Sequence, residues 1–314
     1  MGFVRFADVG ETANPLSTIR NLQKLPRVLE PEIRQSTASD GYVLHSRHWQ
    51  ANVARPRGYV VALHGIQSHS GWYEYSSRRM CEAGFEVHAV DRRGSGLNEQ
   101  QRGHAPHHDR LINDVVQFLA DVRHRRNREA PLSPVILLSV SWGGKLAVVT
   151  CAQRGEQIDA LALLSPGICT RIRPRPDQRL LLRLAGCLGL QHKQVPIPLD
   201  DPALFTEDSH WQQFIDEDPL TLHRASVGLL NCSLNLDRRA NRAPERIRCP
   251  VLLMLAGQDR IIDNPATRRY FERIASTNRT RIEYPAAQHT LEFEPNRAQF
   301  VADLIDWLKS VCSK

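Results

Sequence analysis

The 314-residue sequence predicts an α/β protein, a mostly parallel sheet with helices on both faces and an inserted helical segment late in the chain. Three observations carry this. Short continuous apolar runs recur along the chain, as strands covered on both faces require, and the strand candidates are 59–63, 85–90, 135–138, 160–164, 251–255 and 280–284. Helix-length stretches at roughly 71–82, 109–126, 142–153, 265–275 and 296–310 lie between or after them, as parallel strands require of their connections. The third observation is the interval between Leu164 and Val251, which is proline-rich (Pro166, Pro174, Pro176, Pro196, Pro198, Pro202) and holds no apparent core strand. Structureless loops of that length are rare inside compact domains, so helices of its own are expected there.

Ahead of the first buried run, 42–49 approaches the period-2 alternation of a half-buried strand and pairs most simply with Glu32-Ile33-Arg34-Gln35. An antiparallel edge is expected. Residues 1–30 carry few apolar positions and are punctuated by Pro15 and Pro26. The expected division is an N-terminal arm over 1–30, an α/β core over 31–166 and 248–314, and a helical cap over 167–247.

Composition limits the function classes. Hydrophobic residues make up 41% and charged residues 24%, values typical of a globular protein and too apolar for a disordered one. The net charge of +7 is compatible with anionic partners without requiring them. Seven cysteines, odd in number and scattered, form no C-x-x-C or His/Cys cluster of zinc spacing. Charge appears within a few residues of Met1, so no signal-peptide core is read. No apolar run approaches the ~18 residues that span a bilayer. A reducing, cytoplasmic location is expected, with no metal or organic cofactor.

The strongest local signal is Leu137-Leu138-Ser139-Val140-Ser141-Trp142-Gly143-Gly144-Lys145, an apolar strand running into a small-residue turn and then a helical pattern. A tight strand-to-helix turn needs small residues two positions either side of its central residue, and Ser139 and Gly143 meet that condition around Ser141. Such a turn holds the Ser141 hydroxyl at the C-terminal edge of the sheet and at a helix N-terminus, where N–H groups favour developing negative charge. The usual pattern is G-x-S-x-G, and Ser139 replaces its first glycine.

A serine nucleophile needs a base oriented by a carboxylate. Asp259 follows the late run 251–255, and His289 lies in the loop after 280–284, giving the chain order Ser, Asp, His expected of this elbow. Asp263 competes for the acid role, but its place before Pro265 fits a helix N-cap. Backbone donors for an oxyanion are expected from the N–H of Trp142, directly after Ser141, and of Ile66, in the loop that begins His64-Gly65.

Together these segments resemble the α/β-hydrolase superfamily, and within it the monoacylglycerol lipase and lysophospholipase-like serine hydrolases. His64-Gly65 with His69-Ser70 and Trp72-Tyr73 is similar to the family's oxyanion segment. Asp91-Arg92-Arg93-Gly94-Ser95-Gly96 is similar to its D-x-R-G-x-G loop, and Asp218-Pro219-Leu220 to the D-P-L segment of its cap. The resemblance covers about residues 30–310 and implies hydrolysis of small-molecule acyl esters through an acyl-enzyme, with thioesterase, amidase or a non-catalytic binding protein as alternatives. Trp142 stands where Met is frequent, and the cap sequence has no close match. The 91–96 loop lacks the third glycine of a dinucleotide fingerprint.

Two basic stretches remain. Arg171, Arg173, Arg175, Arg179 and Arg183 surround one acid and an apolar run; a lid with leucines toward the site and arginines outward would suit an anionic headgroup or weak contact with a lipid surface, but an ordinary amphipathic cap helix with its charged face in water is the simpler account. Arg123-His124-Arg125-Arg126 reads as a solvated helix terminus. No nucleic-acid partner is expected, because interleaved aromatics and known motifs are lacking.

Overall fold

The computed structural model describes residues 30–312, so the arm expected over 1–30 lies, apart from Glu30, outside the described residues. The described chain begins with two edge strands, β1 (Glu32–Thr37) and β2 (Val43–Trp49), and continues through β3 (Gly58–Leu63), α1 (Glu74–Glu82), β4 (Phe85–Val90), α2 (His108–Glu129), β5 (Val135–Val140), α3 (Gly143–Gln153) and β6 (Ala160–Leu164). The inserted interval holds α4 (Pro176–Cys187), β7 (Gln194–Pro196), α5 (Ser209–Glu217), β8 (Arg224–Ser226) and α6 (Val227–Asn241). The chain then returns through β9 (Val251–Ala256), α7 (Asn264–Glu272), β10 (Arg279–Tyr284) and α8 (Arg297–Cys312).

Eight strands form one sheet in the order β1-β2-β4-β3-β5-β6-β9-β10. β2 runs antiparallel to β1 and β4, and every other pairing is parallel. The expected antiparallel edge and parallel centre are both present. All residues of β3, β4, β5, β6 and β9 are buried, which explains why they are largely apolar, with Glu86 and His88 of β4 as buried polar exceptions.

Side chains alternate across the sheet and sort into two cores. Val61, Leu137, Leu163 and Leu253 point to one face, where α2, α3, α6 and α7 supply Leu111, Leu146, Leu236 and Tyr270. Val60, Ile136, Ala162 and Leu252 point to the other, against Met80 of α1 and Phe300, Leu304 and Trp307 of α8. β10 is the exposed edge, with alternating burial.

The inserted interval has its own helices, as expected, but it is not helical throughout. β7 and β8 form a two-stranded antiparallel ribbon. Strands this short show no periodicity, and Pro196 masks the pattern further. α6 is more than a cover, because Leu229, Cys232, Leu236 and Ala240 join the core beside α3. Among the described residues, no helix is long and apolar enough to cross a membrane.

β3 lies between β4 and β5, so the chain leaves β3 for one neighbour and returns on its other side. Ligands bind in open α/β sheets outside the strand C-termini at such a reversal. The loops after β3, β5, β9 and β10 emerge at that same end.

Candidate active site

Ser141 follows β5 directly and sits in the left-handed region at φ 51°, a strained conformation for a residue with a side chain. Surrounding hydrogen bonds hold the turn. The Ser141 N–H donates to the Leu164 carbonyl at 3.1 Å, and its carbonyl accepts from Gly144 at 2.8 Å and Gly167 at 2.5 Å. The small-residue requirement differs on the two sides. A Cβ at Gly143 would lie 2.7 Å from the carbonyl oxygens of Leu63 and His64, closer than backbone permits. Ser139 instead fits within the strand, fully buried, with its hydroxyl 3.4 Å from the Ala162 carbonyl. This is why serine can stand for the usual glycine.

Ser141, Asp259 and His289, far apart in the chain, meet. His289 Nδ1 lies 2.8 Å from Asp259 Oδ2, and Nε2 lies 2.8 Å from Ser141 Oγ. An ionised carboxylate can only accept, so Nδ1 carries the hydrogen and Nε2 is left to accept the Ser141 hydroxyl proton. Asp259 is oriented by its other oxygen, which accepts from the Ile261 and Ile262 N–H groups at 2.8 and 2.9 Å. Asp259 and His289 are both buried. Asp263 has the alternative place read from the sequence: its Oδ1 accepts from Ala266 N–H at 3.0 Å and caps α7, with Pro265 in the first turn.

Trp142 precedes α3, at the positive end of the helix dipole. Among the described residues, neither its N–H nor that of Ile66 has a hydrogen-bond acceptor. The Ile66 N–H belongs to the Gly65–Ile66 peptide, and the structure fixes that plane from its opposite edge. The Gly65 carbonyl lies 2.8 Å from His64 Nδ1 and accepts from Arg92 Nη1 at 2.8 Å, while Arg92 Nη2 donates to the Ile66 carbonyl at 2.9 Å. In a trans peptide the C=O and N–H point oppositely, so holding the oxygen aims the hydrogen.

The Arg92 backbone N–H donates to His64 Nε2 at 2.9 Å, which leaves Nδ1 as the donor to Gly65. Burial, reinforced by the Arg92 charge, holds His64 well below its ordinary pKa and therefore neutral. Burial also lowers the Arg92 guanidinium to about 10, still charged at neutral pH, and it lies 4.7 Å from the Trp142 ring centroid. Sequence reasoning missed Arg92. It occupies the variable position of the 91–96 loop, and nothing in its spacing showed that it would turn back onto residues 65 and 66.

The segment Asp218-Pro219-Leu220 ties the insertion to the same loop. Asp218 Oδ2 accepts from Trp72 Nε1 at 2.9 Å and pairs with His69 Nε2 at 2.7 Å, and the Leu222 N–H donates to the Gln67 carbonyl at 2.9 Å. Burial works to raise the Asp218 carboxyl, but the His69 ring, with Trp72 and the Leu220 N–H, outweighs it and holds the group well below the carboxylate range.

Ser141, Ile66 and Trp142 open onto a cavity of about 570 Å³ between the sheet edge and the insertion, within the range of small-molecule sites. Its walls are largely apolar, with Ile172, Leu182, Val195, Ile197, Leu230 and Leu234 among them. The leucines of α4 do not all turn inward. Leu182 and one side of Leu181 line the cavity, but Leu180, Leu181 and Leu184, with Leu188 just past the helix, are all more than half exposed.

One buried cluster of metal-ligand type lies on β2 and β4, where His48, Glu86 and His88 bring ligand atoms within 4.8 Å of one another. Arg125 Nε is 2.9 Å from the same Glu86 oxygen that His48 meets at 2.8 Å, so a cation already occupies the carboxylate.

Residues 54–296 match the family model Hydrolase_4, described as serine aminopeptidase, S33. A monoacylglycerol lipase of Mycolicibacterium smegmatis is 26% identical over 259 residues, 81% of this chain and 89% of that protein. An abhydrolase domain-containing protein of Dictyostelium discoideum is 27% identical over 273 residues, 86% of this chain but only 28% of that longer relative. Among solved structures, the Paleococcus ferrophilus monoacylglycerol lipase superposes with a TM-score of 0.76 at 25% identity, over 85% of this chain and 99% of that one. With the family model spanning well over half of the sequence and the fold superposing on that of a solved relative, the chain belongs to the Hydrolase_4 family and is a serine ester hydrolase of the α/β-hydrolase fold.

Proposed function

We propose that the protein hydrolyses carboxylic esters of monoacylglycerol or lysophospholipid type through an acyl-enzyme, with Ser141 as nucleophile, His289 as base and Asp259 as its orienting acid. The observation that carries this reading is the pair of 2.8 Å contacts linking the three side chains beside a largely apolar cavity. Ser141 Oγ attacks the acyl carbon as its proton passes to His289 Nε2, and Asp259 balances the imidazolium. The N–H groups of Ile66 and Trp142 receive the oxyanion. Collapse expels the alcohol with the proton from His289, and water repeats the sequence to release the acid.

The named relatives support lipid esters, and the cavity chemistry supports esters over free peptide N-termini. A substrate α-ammonium needs a carboxylate to hold it. Among the described residues, Asp237 is the one acid lining the cavity, and it is already paired with Lys145.

In this reading residues 167–247 form the cap, with the base of α6 built into the core. The exposed Leu180, Leu184 and Leu188, with the arginines around them, form a surface for weak contact with anionic lipid. Seven free thiols support a reducing, cytoplasmic setting.

The test is covalent labelling by a fluorophosphonate together with turnover of a graded p-nitrophenyl ester series. Labelling at Ser141 and a preference for medium or long acyl chains are expected. A protein that neither labels nor turns over any ester would overturn the reading. Flotation with anionic vesicles at low salt tests the lipid surface separately, and no association would remove it.

A further inference from the structure

The cavity beside Ser141 has a buried polar cluster that the hydrolytic reaction does not use, separate from Thr170, Arg173, Gln178 and Lys193 elsewhere on its wall. Lys145, one turn into α3 and only 5% exposed, lines its wall with Ser233 and Asp237 of α6. Its Nζ donates to Ser233 Oγ at 3.2 Å and pairs with the Asp237 carboxylate. Trp142 Nε1 donates to the same Ser233 Oγ at 3.0 Å.

The donor inventory of this cluster is unbalanced. Ser233 Oγ accepts two hydrogen bonds, which occupies both lone pairs and leaves its own hydrogen to give. An ammonium has three hydrogens, and Lys145 directs them to two partners among the described residues. Two donors are therefore unspent at the wall of a largely apolar chamber. Lys145 is buried and Ser233 half-buried, and a ligand that brings an acceptor to these donors gains selectivity over one that leaves them facing apolar carbon. Charge narrows the choice. At this cluster Lys145 is already balanced by Asp237, so a neutral oxygen fits, whereas a second carboxylate would meet Asp237 as a like charge and would be drawn instead to Arg173 and Lys193 elsewhere on the wall.

Resting on the hydrolase reading above, we infer that Lys145 and Ser233 form a specificity subsite for a neutral acceptor oxygen, a keto or hydroxyl group, carried by the part of the substrate that enters the cavity. Lys145 is the third residue of α3, past the non-helical Ser141 turn, and its side chain reaches to α6, so the oxygen it meets is carried farther along the substrate than the ester carbonyl. The preferred substrates are oxygenated acyl esters rather than plain fatty esters.

The experiment compares p-nitrophenyl octanoate with oxo-octanoates bearing the keto group at C4, C6 or C7. The readout is the ratio of kcat/KM for each oxo-ester to that of octanoate, in the wild type and in Lys145→Met, which keeps an unbranched side chain but removes the donor. For at least one isomer the ratio is expected to fall about tenfold in the variant. A merely structural role would lower both esters together and leave the ratio in place.

Ser233→Ala removes the second donor with little change of volume and is expected to lower the ratio for the same isomer by a smaller factor. It serves if Lys145→Met fails to fold. Ratios within about twofold of wild type for every isomer in the folded variants would overturn the subsite. Wild-type protein that turns over neither ester class would overturn the hydrolase reading, and the subsite with it.

Discussion

Glu292 is a carboxyl group buried three residues beyond His289, on the short turn Leu291–Phe293, and it makes stability depend on pH. It is 3% exposed; Oε1 accepts from the Ser76 N–H at 2.9 Å, while Oε2 has no partner among the described residues. Burial raises it from an ordinary 4.5 to about 7, against the lowering effect of Ser76 and Arg297. At 1.36 kcal/mol for each tenfold change in acidity, this corresponds to about 3 kcal/mol. The folded state holds the proton more tightly than the unfolded state. Between about pH 4.5 and 7 the native protein therefore binds more protons, and its stability contribution, full below 4.5, is lost as pH rises through 7.

Glu292→Gln keeps the shape and cannot ionise. Urea unfolding of both proteins from pH 4 to pH 8 is expected to show the variant gaining about 3 kcal/mol on the wild type across that window, with similar m-values. A stability difference that does not change with pH would refute the reasoning, because it would mean Glu292 titrates alike in the folded and unfolded chains.

Three other predictions concern the site itself. Ser141→Ala and His289→Ala are each expected to lower turnover of a short p-nitrophenyl ester by at least ~10³-fold, since such groups act as a unit; near-normal rates in either would remove the assignment. Arg92→Met should lower kcat about tenfold or more while KM changes little, because the Ile66 N–H it steadies acts on charge that develops only in the transition state; steady-state kinetics showing a KM effect alone would contradict this. Gly143→Ala should cost at least ~2 kcal/mol in a thermal or urea melt, because its Cβ meets two backbone oxygens at 2.7 Å that cannot move aside.

Much of this fold was legible because burial on both faces imposes a simple rule on the sequence. Val60 and Val61 point to opposite cores, so β3 has no polar side, and runs of this kind marked β3, β5, β6 and β9, whereas β4 with Glu86 and His88 and the edge strand β10 show weaker patterns. The Asp259 and Asp263 alternatives were separable for a similar local reason. A carboxylate ahead of proline in a first helical turn is placed to cap it, and Asp263 does so, while Asp259 turns to His289. The two-stranded ribbon of the insertion was not legible, since Gln194–Pro196 is too short to display a period.

What the sequence hid is the set of side chains that act across long separations. Arg92 reaches Gly65 and Ile66, and Lys145 reaches Ser233 and Asp237. In each pair the charged residue lies in a segment whose motif residues drew the reading elsewhere. The motif fixes the backbone, and the backbone then leaves the intervening position free to carry a group whose partner is chosen by the insertion or by a neighbouring strand. Ser141 can therefore be singled out from the nine residues 137–145, whereas Lys145 acquires meaning only once α6 packs on α3 and places Ser233 beside it. Selectivity in this protein is thus expected to reside at positions that motif matching passes over. Exchanging the α6 face while leaving residues 137–144 intact is the change that separates selectivity from reactivity.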